Sequence, residues 1–83
     1  MRVVDNPAEH RYELWDDDRL AGEIVYREVP GGLALVHTEV EPRGRGLGTV
    51  LVRGALDDMR ERGLEVVPVC PFVVDYVRRR QTE

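Results

Sequence analysis

The stretch Val40-Glu41-Pro42-Arg43-Gly44-Arg45-Gly46-Leu47-Gly48-Thr49 decides the architecture. The run Leu33-Ala34-Leu35-Val36-His37-Thr38-Glu39-Val40 feeds into it, and a helical pattern leaves it. Glycine permits φ > 0 and lets backbone N–H groups come close to a ligand. Where such a loop opens a helix, the unpaired N–H groups and the positive end of the dipole form an anion site. The stretch therefore reads as a phosphate cradle, against the plainer alternative of a flexible strand-to-helix connection. Spacing excludes two familiar cradles. A Walker loop requires GxxxxGK[ST], and no lysine follows these glycines. The dinucleotide fingerprint requires GxGxxG, whereas Gly44, Gly46 and Gly48 give GxGxG. What remains is R-x-x-G-x-G, carried by Arg43, Gly46 and Gly48, directly after a strand ending in Val-x-Pro.

Downstream, residues 48–62 have helical period. Leu47, Leu51, Ala55 and Met59 recur every four residues, flanked by Val52 and Leu56, while Arg53, Asp57, Arg60 and Glu61 lie largely on another face. Arg60 and Arg62 suit the negative end of the dipole, and Gly63 is a ready C-cap. Residues 64–70 then read as a buried strand. A right-handed crossover sets it parallel to residues 33–40. Pro68 conflicts with a central strand, because proline donates no ladder hydrogen bond. Pro71 suits the first position of a short helix reaching Arg80, which places Cys70 at or near its N-cap. Phe72, Val73, Tyr76 and Val77 supply the apolar stripe of that helix, and Arg78-Arg79-Arg80 forms a solvated, charged end.

Upstream, residues 1–9 look like a lead-in punctuated by Pro7. Tyr12 and Leu14 alternate with Arg11 and Glu13, and residues 20–27 alternate again after Asp16-Asp17-Asp18. Two half-buried strands around an acidic turn form a hairpin. The three aspartates lack EF-hand spacing and its closing glutamate, so they read as a turn. Pro30-Gly31-Gly32 marks the next turn, into residues 33–40, whose apolar character suggests a central strand covered on both faces. The expectation is a three-stranded antiparallel meander followed by a strand–helix–strand crossover and a last helix.

Composition bounds the function. Eighty-three residues make a single domain spanning 1–83, and a chain of this size buries only about 60% of its unfolded surface. Hydrophobic residues at 42% and charged residues at 34% fit a folded, water-soluble protein. No apolar run approaches the roughly 20 residues that span a bilayer, and the first residues lack the apolar core of a signal peptide. One cysteine forms no internal disulfide, which suits a cytoplasmic location. A net charge of −4 argues against general nucleic-acid affinity. The oligomeric state is open; an unprotected edge strand in a small sheet could pair with a second copy, so a monomer or a weak homodimer is expected.

Two side chains stand out as chemistry. A lone cysteine after a valine strand is ordinarily a small core hydrophobe. Cys70, however, falls at a helix start, where a thiolate is stabilised, and at the carboxyl end of a parallel strand, where open sheets place ligands. His37 is its natural partner, as the one histidine within the sheet, on the neighbouring strand. The two with one carboxylate make an incomplete zinc set, so no metal is expected.

Strand, V-x-P, R-x-x-G-x-G and helix together resemble the pyrophosphate-binding motif of the GCN5-related N-acetyltransferases. His37-Thr38-Glu39-Val40, then Arg43-Gly44-x-Gly46-x-Gly48, then Pro68-x-Cys70-Pro71-Phe72-Val73 resemble a short, single-domain branch of these proteins, the YjdJ-like group. The likeness covers nearly the whole chain. It implies a minimal α/β (α+β) acyl-coenzyme A acyltransferase fold in which the two parallel strands splay apart, easing the conflict at Pro68. It implies acetyl-coenzyme A as co-substrate and an unidentified amine acceptor. Backbone groups from Arg43 through Gly44, Arg45, Gly46, Leu47 and Gly48 to Thr49 would hold the pyrophosphate, and Val40 would lie near the acetyl and pantetheine end. Cys70 would be the catalytic residue and His37 its companion. Cys70 has two open roles: a nucleophile carrying the acetyl group with His37 as base, or an acid for the departing thiolate. The larger family members have N-terminal helices walling the acceptor site, and this chain has none. Many also use a tyrosine of the final helix as the acid, for which Tyr76 is a candidate. A non-catalytic coenzyme A-binding regulatory module is the alternative.

Overall fold

The turn signals become the corners of one mixed sheet. The computed structural model of the chain describes residues 1–82. Glu83, the last residue of the expected domain, lies outside them. In chain order the elements are β1 (Arg2–Asn6), a 3-10 turn (Pro7–Glu9), β2 (Arg11–Asp16), β3 (Arg19–Val29), β4 (Gly32–Val40), α1 (Leu47–Glu61), β5 (Glu65–Pro68) and α2 (Pro71–Thr82). The strands lie in the order β1-β2-β3-β4-β5. The first four are antiparallel, and β5 runs parallel to β4. The α/β (α+β) fold is therefore as expected, with differences in detail.

The lead-in is the first difference. Residues 2–6 form an edge strand, so the meander has four strands rather than three. Packing places it: Gly54 of α1 brings its backbone so close to Val3 that an added Cβ would stand 2.5 Å from Val3 Cγ2. A polar network also ties β1 to the far end of α1. Tyr12 Oη donates to Asp58 Oδ2 at 2.6 Å, and Tyr26 Oη donates to Asp5 Oδ1 at 2.6 Å. Arg62 Nη1 bridges both carboxylates, at 2.7 Å from Asp5 Oδ2 and 2.9 Å from Asp58 Oδ2. Burial and these acceptors push both phenols well above their ordinary range.

The second difference concerns the faces of β4. Tyr12, Leu14, Ile24, Tyr26 and Leu35 form one core with Leu51, Val52, Ala55 and Met59 of α1 and Val73 of α2. Both helices thus serve the same face. The other face carries Arg11, Glu13, Trp15, Glu23, Val25, His37 and Glu39, and among the described residues no helix covers it. The run 33–40 reads as doubly covered because its first half, Leu33 to Leu35, is buried between β3 and β5. Its second half alternates between half-buried and exposed positions.

Glu13 is the one buried charged residue among the described ones, and it sits on the helix-free face. It accepts from Asn6 Nδ2 at 2.9 Å, Arg11 Nε at 2.8 Å and Trp15 Nε1 at 3.0 Å. Burial pushes its carboxyl up, but these hydrogen bonds outweigh burial and hold it below the ordinary carboxylate range. A depressed folded pKa contributes stability that is present above the unfolded value, near 4.3, and lost as pH falls through the folded one. Thermal melts between pH 5 and pH 3 should therefore fall less steeply for Glu13→Gln than for the native chain. Parallel slopes would show that Glu13 does not carry this acid sensitivity.

Gly32 opens β4 opposite Glu65 of β5. A Cβ there would run into the Glu65 carbonyl oxygen, with Glu65 C at 2.7 Å and Glu65 N at 2.9 Å. These are backbone atoms, so β5 itself must move. Overpacking of this kind costs about 1–3 kcal/mol. Gly32→Ala is expected to lower the melting temperature by roughly 4–8 °C for each kcal/mol lost, and an unchanged melt would contradict the close approach.

Candidate active site

β4 outruns its parallel neighbour. The β4–β5 ladder starts at Gly32↔Glu65 and ends at Leu35↔Pro68. Proline has no N–H to extend it, and the amides of Val69 and Cys70 both turn onto the Leu35 carbonyl, at 3.1 and 2.9 Å. The expected strand 64–70 is thereby cut to four residues. Over residues 36–40 the β5-side edge of β4 has no strand partner among the described residues. Bare strand edges offer backbone donors and acceptors to any extended ligand. A cavity of about 220 Å³ opens against this edge, lined by His37, Thr38, Glu39, Val40, Arg43, Gly48 and Phe72.

The glycine loop closes one end of this slot. Gly44 and Gly46 take φ of +79° and +74°, a region that side chains rarely enter. Gly46 is the N-cap of α1, no side chain caps that terminus, and the first turn holds no acidic residue. Val50 N donates to Gly46 O at 3.3 Å as the first turn of the helix closes, which leaves the preceding amides to face an anion. Arg43 and Arg45 are exposed beside them. Leu47 contributes backbone alone, since its side chain is buried in the core. Thr49 lies on the outer face of α1, towards α2. At Gly48 an added Cβ would stand 2.8 Å from Phe72 Cζ, so this glycine lets the Phe72 ring cover the helix start.

Cys70 immediately precedes α2, and its carbonyl accepts from Val74 N at 2.9 Å, as an N-cap carbonyl does. Its side chain is buried, with Sγ 3.4 Å from Thr38 Oγ1. Burial pushes the thiol up. Hydrogen bonding to the Thr38 hydroxyl and to the amides of Val73, Phe72 and Thr38 outweighs burial, so the thiol lies below its ordinary value. In the thiol form Sγ–H donates to Thr38. In the thiolate form the hydroxyl rotates to donate back, which stabilises the anion. Thr38 and Phe72 line the slot, whereas Cys70 stands one side chain away, reaching it through Thr38.

His37 does not meet Cys70. A β-bulge is responsible. Leu35 pairs with Tyr26 while His37 pairs with the adjacent Val25, so Val36 is an extra residue and the facing of the strand reverses there. Thr38, opposite the buried Ile24, turns towards the helices and Cys70. The His37 ring turns to the helix-free face, 60% exposed, with Nε2 3.7 Å from Glu39 Oε1. The cysteine's partner is therefore Thr38 and not the expected His37. Tyr76 faces a different cavity, where its hydroxyl accepts from Arg80 Nη1 at 2.9 Å. Among the described residues, no group of three or more His, Cys, Asp or Glu is arranged to hold a metal ion, and no helix is long and apolar enough to cross a membrane.

The family described as GCN5-related N-acetyl-transferase matches residues 11–83. No curated protein matches the chain. The mixed five-stranded sheet with two helices is consistent with a small fold of that family.

Proposed function

The chain belongs to the GCN5-related N-acetyltransferase family, and on that premise we propose that it is a single-domain acetyltransferase of the YjdJ-like kind, binding acetyl-coenzyme A between β4 and β5 and acetylating an amine. One observation carries this reading: the bare edge of β4 over residues 36–40 leads directly to an uncapped helix N-terminus. An extended amide-bearing arm suits the first, and a pyrophosphate suits the second.

Acetyl-coenzyme A, when bound, supplies an acetyl thioester. The backbone of residues 45–49 holds its pyrophosphate, with Arg43 and Arg45 adding charge. The β4 edge near Val40 orients the arm and polarises the carbonyl by backbone hydrogen bonding. Transfer makes a C–N bond and breaks a C–S bond, so the amine loses a proton and the sulfur gains one. Cys70 holds a proton at Sγ, 3.4 Å from the Thr38 hydroxyl that borders the slot. A thiol with a lowered pKa is the better acid for this task, and Thr38 relays its proton without requiring Cys70 to leave its buried seat. Of the two roles open to Cys70, its burial therefore favours the acid over the acetyl carrier. His37 borders the slot but turns its ring to the helix-free face, and is left to approach the acceptor side with Glu39. Such a protein works as a cytoplasmic monomer or weak dimer, without metal.

Thr38→Val tests the relay, because it keeps shape and removes the hydroxyl. It should lower kcat about tenfold or more, less than the roughly hundredfold that marks the low end for losing a general acid outright, and raise the pKa of the limb that reports Cys70. An unchanged rate and profile would remove Thr38 from the mechanism. The rival regulatory module predicts that no acceptor amine is acetylated although coenzyme A binds.

A further inference from the structure

The chain segregates its charge. It carries a net −4, and the cavity at the end of β3 and β4 is bordered by Glu23, Glu39 and Glu41 against Arg43 alone. A third cavity, of about 310 Å³, lies between α1 and α2 and is lined by Thr49, Arg53, Tyr76, Arg79 and Arg80, with no acidic side chain among them. Two helices build it together. Thr49 and Arg53 are one turn apart on α1, and Tyr76, Arg79 and Arg80 share a face of α2. Arg80 is preset, with Nη1 2.9 Å from Tyr76 Oη and Cζ 5.8 Å from the ring centroid. Arg79 Nη2 is held 2.9 Å from Asp75 Oδ2. Arg53 makes no hydrogen bond or ion pair among the described residues. Thr49 also ends the glycine loop, so this cavity continues from the place where the pyrophosphate is proposed to sit.

We propose that the α1–α2 cavity is a second phosphate site, separate from the helix terminus, that binds the 3′-phosphate of coenzyme A and so selects it over donors lacking that group. The inference rests on the acetyl-coenzyme A reading above and adds a specificity to it. Arginine's planar fork suits a terminal phosphate monoester, which offers three oxygens and close to two negative charges at neutral pH. A surface helix end with scattered arginines would show no such preference.

Calorimetric titration of the full chain with coenzyme A and with 3′-dephospho-coenzyme A decides it. Coenzyme A should bind about tenfold or more tightly, with the difference shrinking as salt rises from 50 to 200 mM. Arg53→Gln and Arg80→Gln should each weaken coenzyme A several-fold and leave dephospho-coenzyme A unchanged. Equal affinity for the two ligands would overturn the second site while leaving the slot intact. Binding of neither by a folded sample would overturn both readings. Capture of a single-stranded oligonucleotide through the same arginines, with steep salt dependence, would reassign the patch and overturn the proposal.

Discussion

Cys70→Ser should lower the maximal rate of acetyl transfer about a hundredfold while leaving the KM for acetyl-coenzyme A within about threefold. Serine keeps the volume and the hydrogen bond to Thr38 but is a far weaker acid than a thiol. The loss should therefore fall on kcat, because Cys70 lies outside the lining of the slot. The pH profile gives a second readout. Cys70 titrates below an ordinary thiol, since hydrogen bonds to the sulfur outweigh its burial, so the native limb should lie below that of an ordinary thiol and vanish in Cys70→Ser. Mass spectrometry under single turnover should find no acetylated cysteine. An acetyl-Cys70 adduct competent to pass its group to the amine would replace the acid role with the covalent one.

Gly46→Glu should abolish measurable binding of acetyl-coenzyme A, a loss of a hundredfold or more. Two effects add. Gly46 has φ of +74°, which any side chain resists at a cost of about 1–3 kcal/mol. The new carboxylate also stands at an uncapped helix N-terminus, where it competes with the pyrophosphate for the same amides. A Cβ at Gly46 meets nothing within 4 Å, so the variant should still fold. Gly46→Ala separates the two effects, for it carries the strain without the charge and should bind only several-fold more weakly. If Gly46→Glu binds as the native chain does, the pyrophosphate lies elsewhere.

The parts legible in the sequence are those set by local patterns. The four-residue recurrence of Leu47, Leu51, Ala55 and Met59 specifies α1 and the face it buries. The glycines specify the loop, and Pro68 marks where the ladder stops. What was not legible depends on contacts distant along the chain. β1 is a short segment, Arg-Val-Val-Asp-Asn, whose pairing is fixed by Val3 against Gly54 and Asp5 against Tyr26 and Arg62. His37 shares its alternation with Leu33 and Leu35, so a regular strand would aim it at the core. The bulge at Val36 reverses that facing, and it is created by pairing with β3 rather than by any local signal. Thr38 takes the inward position and meets Cys70, 32 residues away. Phe72 is legible as a member of an apolar stripe and of the motif around Cys70, but its cover of the glycine at the helix start depends on how α2 packs against α1.

If the gap between β4 and β5 holds acetyl-coenzyme A, titrating the isotope-labelled chain with this ligand should move the backbone amide signals that border the gap. NMR is expected to show saturable shifts clustered on residues 36–49 and 70–72, with one ligand per chain. Shifts confined to the helix-free face around Glu13 and Glu23, or no shifts from a folded sample, would contradict it.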